Sequence, residues 1–424
     1  MQRIGAELNA ASTRSALMAA AMMSGLMALV INLQPIIMGA LATGRGLTDA
    51  NLGQISAMFI GANTMASLLG PWWVRRLDWR LSGALGVGAT ILSCFSGIFA
   101  GSFWGITLVF IALGLSTGVV GAVAFASLGD SENTDRAYGA AIIAQASVSA
   151  IAATPMSGWV VPTWGIVGLF VALAAMSATC FLALPWLPAR GRGGESAEAT
   201  DIGIPMLSAR VVPAFGAIVA GAIFTAGILG FWYFIERIGS SRGLSPQMIG
   251  FVISLSSVST IVTATTVAWL GTRLSSMAYM WIGSTMVLSG YGLVLWTNAT
   301  AYVVGVQLFA FGWGFAQPAY YALARKVDRT GRLFVAAPGA TGIAGVAIGF
   351  AAGPVLASGG YSSLIVLSAI LIAIAAAVVL LAVRLAGSAS AEISGYAPSM
   401  EEAVREPPLH LLHANVDPMA GAAG

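Results

Sequence analysis

Four amide side chains lie inside long apolar segments, where each needs a hydrogen-bond partner. Asn32 and Gln34 come just before Pro35, Asn63 lies in the second apolar segment, and Gln145 lies in the fifth. An amide facing lipid leaves its polar atoms unpaired, so we expect all four to point into the protein. They could bind a solute, or they could only join helices, a contact worth about 1 kcal/mol or less. Asn32 and Gln34 are about 200° apart around a helix, so both cannot face the same cavity.

Two aromatic stripes indicate a cavity of low polarity. Trp232 lies on one face of the seventh apolar segment, and Trp313, Gln317 and Tyr321 lie along the tenth. Ligand sites are mostly apolar with a few placed polar groups, and an amide among aromatic rings fits that composition. Ordinary packing, or aromatic belts at the membrane surface, would give similar stripes. The sequence predicts that these four residues, together with the four amides, contact a substrate.

Ionisable side chains are absent from the middle of every long apolar segment. Buried charges in membranes usually mark ion or substrate paths, so their absence argues against a strongly ionic substrate. It also weakens proton coupling, which requires a titratable group. The nearest coupling candidates are Glu236 and Asp130, at the ends of their segments. Alternatively, Glu236 pairs with Arg237 or Arg242 at the membrane surface, and Asp130 is an ordinary loop charge.

The composition excludes a soluble protein. Of the 424 residues, 58% are hydrophobic and only 8% are charged, whereas soluble globular proteins carry about 25% charged residues. The apolar segments contain no visible nucleophile, acid–base pair or metal-ligand cluster, so we expect no enzyme activity, no cofactor and no metal. The basic residues fall in short clusters, so nucleic acid is not an expected partner.

The apolar segments set the fold class, because about 20 apolar residues suffice for one membrane-spanning helix. We predict an all-α membrane protein with twelve transmembrane helices in two pseudo-symmetric six-helix bundles. The helices are expected near residues 16–42, 51–73, 82–101, 104–128, 137–161, 164–187, 212–236, 247–271, 277–297, 300–324, 334–357 and 361–384. The predicted regions are a tail (1–15), a first bundle (16–187), a central loop (188–211), a second bundle (212–385) and a disordered tail (386–424).

The distribution of basic residues predicts the orientation. Cytoplasmic loops carry an excess of Lys and Arg. With both termini in the cytoplasm, only Arg45, Arg237 and Arg242 of the 19 basic residues fall on the outer side. We therefore expect an integral protein of the cytoplasmic membrane, with the central loop and both tails inside.

The second half of the chain repeats the first. Arg45-Gly46-Leu47-Thr48 follows the first helix, and Arg242-Gly243-Leu244-Ser245 follows the seventh, 197 positions later. Arg76-Leu77 and Arg273-Leu274 match at the same offset. Six helices per half make this a parallel repeat, related by an axis along the membrane normal.

Two six-helix halves, a polar central loop and a basic cluster after the second helix resemble the major facilitator superfamily over about residues 15–385. The family pattern after helix 2 is Gly-x-x-x-Asp-Arg-x-Gly-Arg-Arg, and here Gly70 and Arg75 match it. Val74 replaces the family Asp and Leu77 replaces the second Gly. The resemblance implies alternating access, a monomeric protein and a cytoplasmic gate. The gate candidates are Gly70, Arg75, Arg76, Asp78 and Arg273.

These features together predict a secondary active or facilitative transporter of a small neutral or amphipathic organic solute. The alternative is an efflux pump, a proton-coupled antiporter for hydrophobic or drug-like compounds. Drug–proton antiporters of this family often carry an Arg in helix 4, four residues before a Gly. The matching position here is Gly114, before Gly118, and helix 4 contains no basic residue. This departure favours uptake over drug export.

Overall fold

The first half of the molecule consists of seven α-helices. The structure is a computed structural model, and it describes residues 2–131, 134–190, 211–328 and 336–396. The central loop predicted at 188–211 therefore lies almost wholly outside the described residues. The helices of this half are α1 (Gln2–Asn32), α2 (Gln34–Arg45), α3 (Asp49–Trp73), α4 (Trp79–Phe99), α5 (Phe103–Gly129), α6 (Thr134–Pro155) and α7 (Val161–Ala178).

The second half repeats this order with six helices. They are α8 (Val211–Trp232), α9 (Ile235–Ser240), α10 (Pro246–Leu270), α11 (Ser276–Leu295), α12 (Ala299–Val327) and α13 (Ala337–Tyr396). Helical structure extends beyond both predicted bundle boundaries, since α1 begins at Gln2 and α13 ends at Tyr396. The remainder of the predicted C-terminal tail, from residue 397 onward, lies outside the described residues.

Ten segments of the described chain are long and apolar enough to cross a membrane. Two of them, Arg136–Trp186 and Ala337–Ala386, have 51 and 50 residues, and a single crossing needs only about 20. The chain leaves the helical conformation once inside each, at Gly165 (φ 57°) and at Gly360 (φ 66°). Glycine tolerates these positive φ angles because it has no Cβ. Each long segment therefore makes two crossings, which gives the predicted twelve.

The first crossing of each half is broken before it reaches the turn that ends it. Leu33 separates α1 from α2 with φ −94° and ψ 3°, and Phe234 separates α8 from α9 with φ −113° and ψ 8°. In the first half Pro35 follows at once, and its ring removes a backbone donor from the helix. Each half thus begins with a long helix followed by a short one.

The turns after these broken crossings confirm the internal repeat. Gly46 and Gly243 adopt φ angles of 65° and 75°, a conformation that favours glycine. The hydroxyl residues that follow cap the next helices: Thr48 accepts from the Asn51 N–H, and Ser245 accepts from the Met248 N–H. Such caps satisfy donors that a helix N-terminus leaves free.

The two repeated arginines make the same contact. Arg45 donates to the carbonyl oxygen of Ile98, at the end of α4, and Arg242 donates to that of Val294, at the end of α11. Each arginine therefore joins the end of its broken crossing to the equivalent helix of its own half, α4 in the first half and α11 in the second.

Glycines allow close helix packing within the second half. α11 and α12 cross where Gly283 faces Gly312, and a Cβ placed on Gly312 would lie 2.5 Å from the Gly283 carbonyl oxygen. Because small residues let helix backbones approach in membranes, this contact holds α11 and α12 together.

Replacing Gly312 with leucine should destabilise the second half by about 1–3 kcal/mol, because the added atoms meet backbone that cannot move aside. Thermal unfolding in detergent would measure the effect. Gly292→Leu is the matched control, since a Cβ there meets nothing within 4 Å. Equal melting temperatures of the two variants would contradict the expected packing.

The two sides of the bundle are named here by the residues they carry. The Asp49 face holds the start of α3 and the turns at Gly46 and Gly243, and the Asp130 face holds the end of α5. α3 packs along the first part of α13, from Ala50 against Gly353 to Leu68 against Gly339. These contacts join the two halves.

Candidate functional site

An ion-pair cluster joins the halves at the Asp49 face. Asp49, at the start of α3, accepts a hydrogen bond from Arg237 Nε at 3.1 Å and another from the Tyr361 hydroxyl at 2.7 Å. Asp49 belongs to the first half, and both donors belong to the second. We call these three residues the Asp49 cluster. Neither Asp49 nor Tyr361 was predicted to be a functional residue, although Asp49 and Glu236 are the only acidic residues that the sequence places on this side.

A proline in α2 prepares a second contact between the halves. In an α-helix the carbonyl of residue i accepts from the N–H of residue i+4. Pro35 has no N–H, so the Ile31 carbonyl lacks its helical partner. Trp232, at the end of α8, donates its indole N–H to this oxygen at 3.0 Å. The broken first crossing thus supplies an acceptor to a side chain of the second half.

A similar contact lies at the end of α6. Pro162 removes the N–H that would serve the Gly158 carbonyl in a regular helix, and Gln247 of α10 donates to that carbonyl at 3.1 Å. Beside it, the Ser157 hydroxyl donates to the Pro246 carbonyl at 2.7 Å. α6 and α10 therefore meet at the Asp49 face, and the structure represents a conformation closed on that side.

Replacing Trp232 with phenylalanine should shift the conformational equilibrium away from this closed state by about fivefold. The substitution keeps the ring but leaves the Ile31 oxygen without a donor, and a net hydrogen bond contributes about 1 kcal/mol. Spin labels at Gly101→Cys and Thr297→Cys, on exposed turns of the two halves at the Asp49 face, would report the distance. The two native cysteines are buried. An unchanged distance distribution would contradict a role for this bond, and Trp104→Phe, which alters an exposed ring, is the control.

The predicted aromatic residues of α8 and α12 come together. Trp232 and Trp313 have ring centroids 5.9 Å apart, and Phe309 lies 6.5 Å from Trp232 and 6.0 Å from Trp313. Phe309 is fully buried, whereas Trp313 is only partly buried. One turn along α12, Gln317 hydrogen-bonds Thr225 of α8 at 3.3 Å. We call these five residues the aromatic–amide site.

Tyr321 extends this site toward the Asp130 face. It lies one turn beyond Gln317 on α12 and is close to both Gln317 and Thr341. All of these side chains are neutral. The bond between Trp232 and Ile31 shows that the site faces α1, across the boundary between the halves.

The four predicted amides are not brought to one place. The Asn32 side chain donates to the Gln145 backbone carbonyl at 2.9 Å, which joins α1 to α6. Asn63 is buried and donates to the Thr117 hydroxyl at 3.0 Å, which joins α3 to α5. Both bonds lie within the first half and match the alternative interpretation of helix–helix bonding. Gln34 is fully buried, and neither of its amide atoms has a partner among the described residues.

The predicted gate residues make contacts within their own halves. Arg75 lies 3.4 Å from Asp130, an exposed pair that joins the ends of α3 and α5. Asp78 accepts from the backbone N–H groups of Arg80 and Leu81 and so caps α4. In this conformation Asp78, predicted as a gate residue, is thus a helix cap.

The other gate candidates also stay within one half. Arg76 is exposed. Arg273 lies over the Trp269 ring at 5.3 Å in the second half. Gly70 packs near Ala122 of α5. The described contacts therefore place the closed gate at the Asp49 face and show no contact of these candidates across the halves.

Glu236 is not in the ion pair that the sequence suggested as the alternative to coupling. Its Oε1 atom accepts from the Ser240 hydroxyl at 2.6 Å, and Oε2 is buried without a hydrogen-bond partner in the described structure. Arg237 pairs with Asp49 instead, and Arg242 bonds the Val294 carbonyl. Burial raises the pKa of Glu236, and the Ser240 hydroxyl and Arg237 only partly oppose this effect.

A groove of about 590 Å³ lies away from these contacts. It runs between α4 and α5 and is lined by apolar residues such as Leu85, Leu92 and Leu115, with three serines. It opens on the outside of the first half. In the described part of the chain, no group of three His, Cys, Asp or Glu residues could hold a metal ion.

Comparison with known proteins gives a family and a fold. The sequence model of the Major Facilitator Superfamily matches residues 16–337. A D-xylose–proton symporter is 14% identical, with a TM-score of 0.68 over 86% of this chain and 96% of that chain. The nucleoside transporter NupG is 13% identical, with a TM-score of 0.66 over 87% and 98%.

A third similar structure is a bacterial homologue of the human lysosomal transporter Spinster, in an inward-facing and unoccupied conformation. It is 14% identical, with a TM-score of 0.62 over 88% of this chain and 97% of that chain. No curated protein matches the sequence significantly.

Proposed function

Because the chain belongs to the major facilitator superfamily, we propose that it moves a small neutral or amphipathic organic solute across the membrane by alternating access. The family makes it a transporter rather than an enzyme. The solute binds at the aromatic–amide site, between the two halves, and the halves rock around it.

The neutrality of the aromatic–amide site carries this proposal. Trp232, Phe309 and Trp313 provide flat apolar surface, while Thr225 and Gln317 provide hydrogen-bonding groups. None of these side chains could neutralise an ion buried in the membrane, and an unpaired buried charge is costly. A neutral solute with one apolar face and several hydrogen-bonding groups fits the site best. Ile31, whose carbonyl oxygen Trp232 contacts, and the neighbouring Asn32 line the first-half side of the same boundary in this proposal.

The similar structures support a neutral solute without fixing its identity. Two of them are named for transport of D-xylose and of nucleosides, which are uncharged molecules of the size proposed here. The charge-free aromatic surface also suits hydrophobic compounds, so export of drug-like molecules is the second candidate. We still favour uptake over export, because α5 contains no basic residue.

We propose that the Asp49 face is the outer face of the cytoplasmic membrane. The basic residues support this orientation, because Arg75, Arg76 and Arg273 lie toward the opposite side, where positive residues are enriched in membrane proteins. Both termini are then cytoplasmic. The protein works as a monomer, and Asp130 stabilises Arg75 rather than carrying a transported proton.

A ligand-stability screen of the full protein in detergent tests the proposed substrate class. The panel would set D-xylose, uridine and neutral amphipathic solutes against organic anions and cations. A ligand at a hundred times its dissociation constant should stabilise the folded state by about 2.7 kcal/mol. Stabilisation by neutral compounds supports the proposal. Stabilisation only by strongly charged compounds would contradict it, because the aromatic–amide site offers them no counter-charge.

A further inference from the structure

The carboxyl group of Glu236 lies on the boundary between the halves. Glu236 belongs to α9, in the second half, and packs against Gly39 of α2, in the first. A Cβ built on Gly39 would overlap the Glu236 carboxyl group, so only glycine at this position leaves room for that carboxyl. The two positions are 197 residues apart and correspond in the internal repeat. Equivalent positions of a parallel two-fold repeat can contact each other only beside the axis that relates the halves. The carboxyl therefore lies where the two halves touch.

This carboxyl group is only half satisfied in the closed conformation. The Ser240 hydroxyl donates to Oε1, whereas Oε2 is buried and has no hydrogen-bond partner in the part of the chain that the structure describes. An ionised carboxylate removed from water requires a paired charge or several donors. Glu236 has one donor in contact, so the closed conformation suits its protonated form better than its ionised form.

The charged and titratable groups around Glu236 do not supply the missing partner. Arg237, on the same helix, is hydrogen-bonded to Asp49 of α3, which itself carries a negative charge. Tyr361 of α13 donates to Asp49 as well, and Tyr302 of α12 donates to the Ile235 carbonyl. Arg242 is bonded to the Val294 carbonyl.

The two remaining neighbouring helices add no counter-charge. The basic residue of α2, Arg45, is bonded to the Ile98 carbonyl, away from Glu236. α10 contains no titratable residue. The positive side chains near Glu236 are therefore hydrogen-bonded to other groups, and none of them donates a hydrogen bond to its carboxyl in the part of the chain that the structure describes.

We propose that Glu236 is a proton-operated element of the gate at the Asp49 face, in which protonation of its carboxyl stabilises the closed gate and ionisation favours the open one. This inference rests on the alternating-access transport proposed above. When the halves separate at this face, α9 leaves α2 and water reaches both carboxylate oxygens. The carboxyl then releases its proton to that water, and it takes a proton up again before the face closes.

The direction of the pH effect follows from burial. The pKa of Glu236 is raised by burial in the closed gate and returns toward the ordinary carboxyl value when the gate opens. The stabilisation of the closed gate is complete below the open-state pKa and is lost as the pH rises through the closed-state pKa. Within that window the closed-to-open ratio should fall by up to about tenfold per pH unit.

Glu236 in this proposal regulates the gate without carrying a proton across the membrane. One turn deeper, Trp232 of the aromatic–amide site is bonded to the Ile31 carbonyl of the other half, so this contact lies between Glu236 and the rest of the site. The proton is therefore exchanged with water at the Asp49 face in both directions. Acidification on that side should close the gate, even for a solute that moves without proton coupling.

Distance measurements on the full protein test the proposal without a transported solute. Spin labels at Gly101→Cys and Thr297→Cys report the separation of the halves at the Asp49 face, between about pH 5 and about pH 9. We expect the wild type to shift from short to long distances as the pH rises. Glu236→Gln mimics the protonated group and should keep the short distances at every pH. Asp49→Asn, which weakens the Asp49 cluster, should lengthen the distances while preserving their pH dependence.

Two results would overturn the proposal. One is a wild-type distance distribution that does not change with pH, a measurement that needs no variant at Glu236. The other is a folded Glu236→Gln protein with the same pH dependence as the wild type. Failure of the proposed substrate class would show separately, as a ligand screen without neutral hits in a protein whose gate still responds to pH.

Discussion

Replacing Trp313 with alanine should weaken solute binding by about ten- to a hundredfold. Trp313 is the partly buried ring of the aromatic–amide site, and it packs at tilted angles against Trp232 and Phe309. Removal of a large aromatic side chain from a binding site forfeits about 1.5–3 kcal/mol of apolar contact, and each 1.4 kcal/mol is a tenfold change in affinity. The loss of affinity would be measured by titrating the best neutral ligand from the screen and monitoring the thermal stabilisation of the protein.

Trp104→Ala is the matched control for this variant. Trp104 is 70% exposed on the outside of the bundle, so its removal should leave affinity unchanged. A second variant, Gln317→Ala, should weaken binding of solutes with several hydroxyl groups more than that of purely apolar ones. Unchanged affinity in Trp313→Ala would place the solute elsewhere and contradict the assigned site.

Replacing Gly349 with leucine should lower the closed-to-open ratio at the Asp49 face by roughly five- to a hundredfold. A Cβ on Gly349 would lie 2.7 Å from the Gly53 carbonyl oxygen and 2.9 Å from the Ala57 side chain. A leucine at this position must push α3 of the first half away from α13 of the second, and such overpacking costs about 1–3 kcal/mol or more. The spin-label distances at the Asp49 face would lengthen, and transport would fall because one of its two end states is lost.

Gly88→Leu provides the comparison for this wedge. Gly88 lies in α4, and a Cβ there meets nothing within 4 Å, so distances and transport should remain as in the wild type. The melting temperature of Gly349→Leu should fall less than that of Gly312→Leu, because its contact joins the halves rather than two helices of one half. A Gly349→Leu protein with wild-type distances would mean that the halves do not close here.

The fold could be predicted from the sequence because its main signals are local. The length of each apolar segment predicted one membrane-spanning helix, and the predicted twelve crossings are present. The repeat was visible in Arg45-Gly46 and Arg242-Gly243, whose glycines adopt the same left-handed conformation. Residues at such turns are constrained by their own backbone, so their spacing alone carries the information.

The contacts between the halves were less predictable because they join distant residues in one conformation. Asp49 and Tyr361 are 312 positions apart, and neither lies in a pattern that marks its partner. Pro35 could be recognised as a helix breaker. The sequence does not show, however, that the Trp232 indole N–H donates to the Ile31 carbonyl that Pro35 leaves without a helical partner. Such pairs depend on how the two bundles meet.

The gate prediction shows the same difference. The basic cluster after α3 resembles the family pattern, and this resemblance made Asp78 a gate candidate. In the structure Asp78 caps α4, because its side chain lies directly before the free N–H groups of that helix. Arg75 instead pairs with Asp130 of α5. Sequence position identified the cluster, whereas the local helix geometry decided which of its charges pair.

A disulfide across the Asp49 face tests the account most directly. Gly158 and Gln247 of α10 approach closely in the closed conformation, where a Cβ on Gly158 would lie 3.5 Å from the Gln247 Cβ, and disulfides require Cβ atoms about 3.5–4.5 Å apart. The Gly158→Cys/Gln247→Cys protein would be reconstituted in vesicles, and counterflow of the best neutral solute measured before and after reduction. The account predicts that the oxidised protein exchanges no solute and that reduction restores exchange. Equal exchange in the oxidised and reduced protein would show that the solute crosses without the halves separating at this face, and would contradict alternating access.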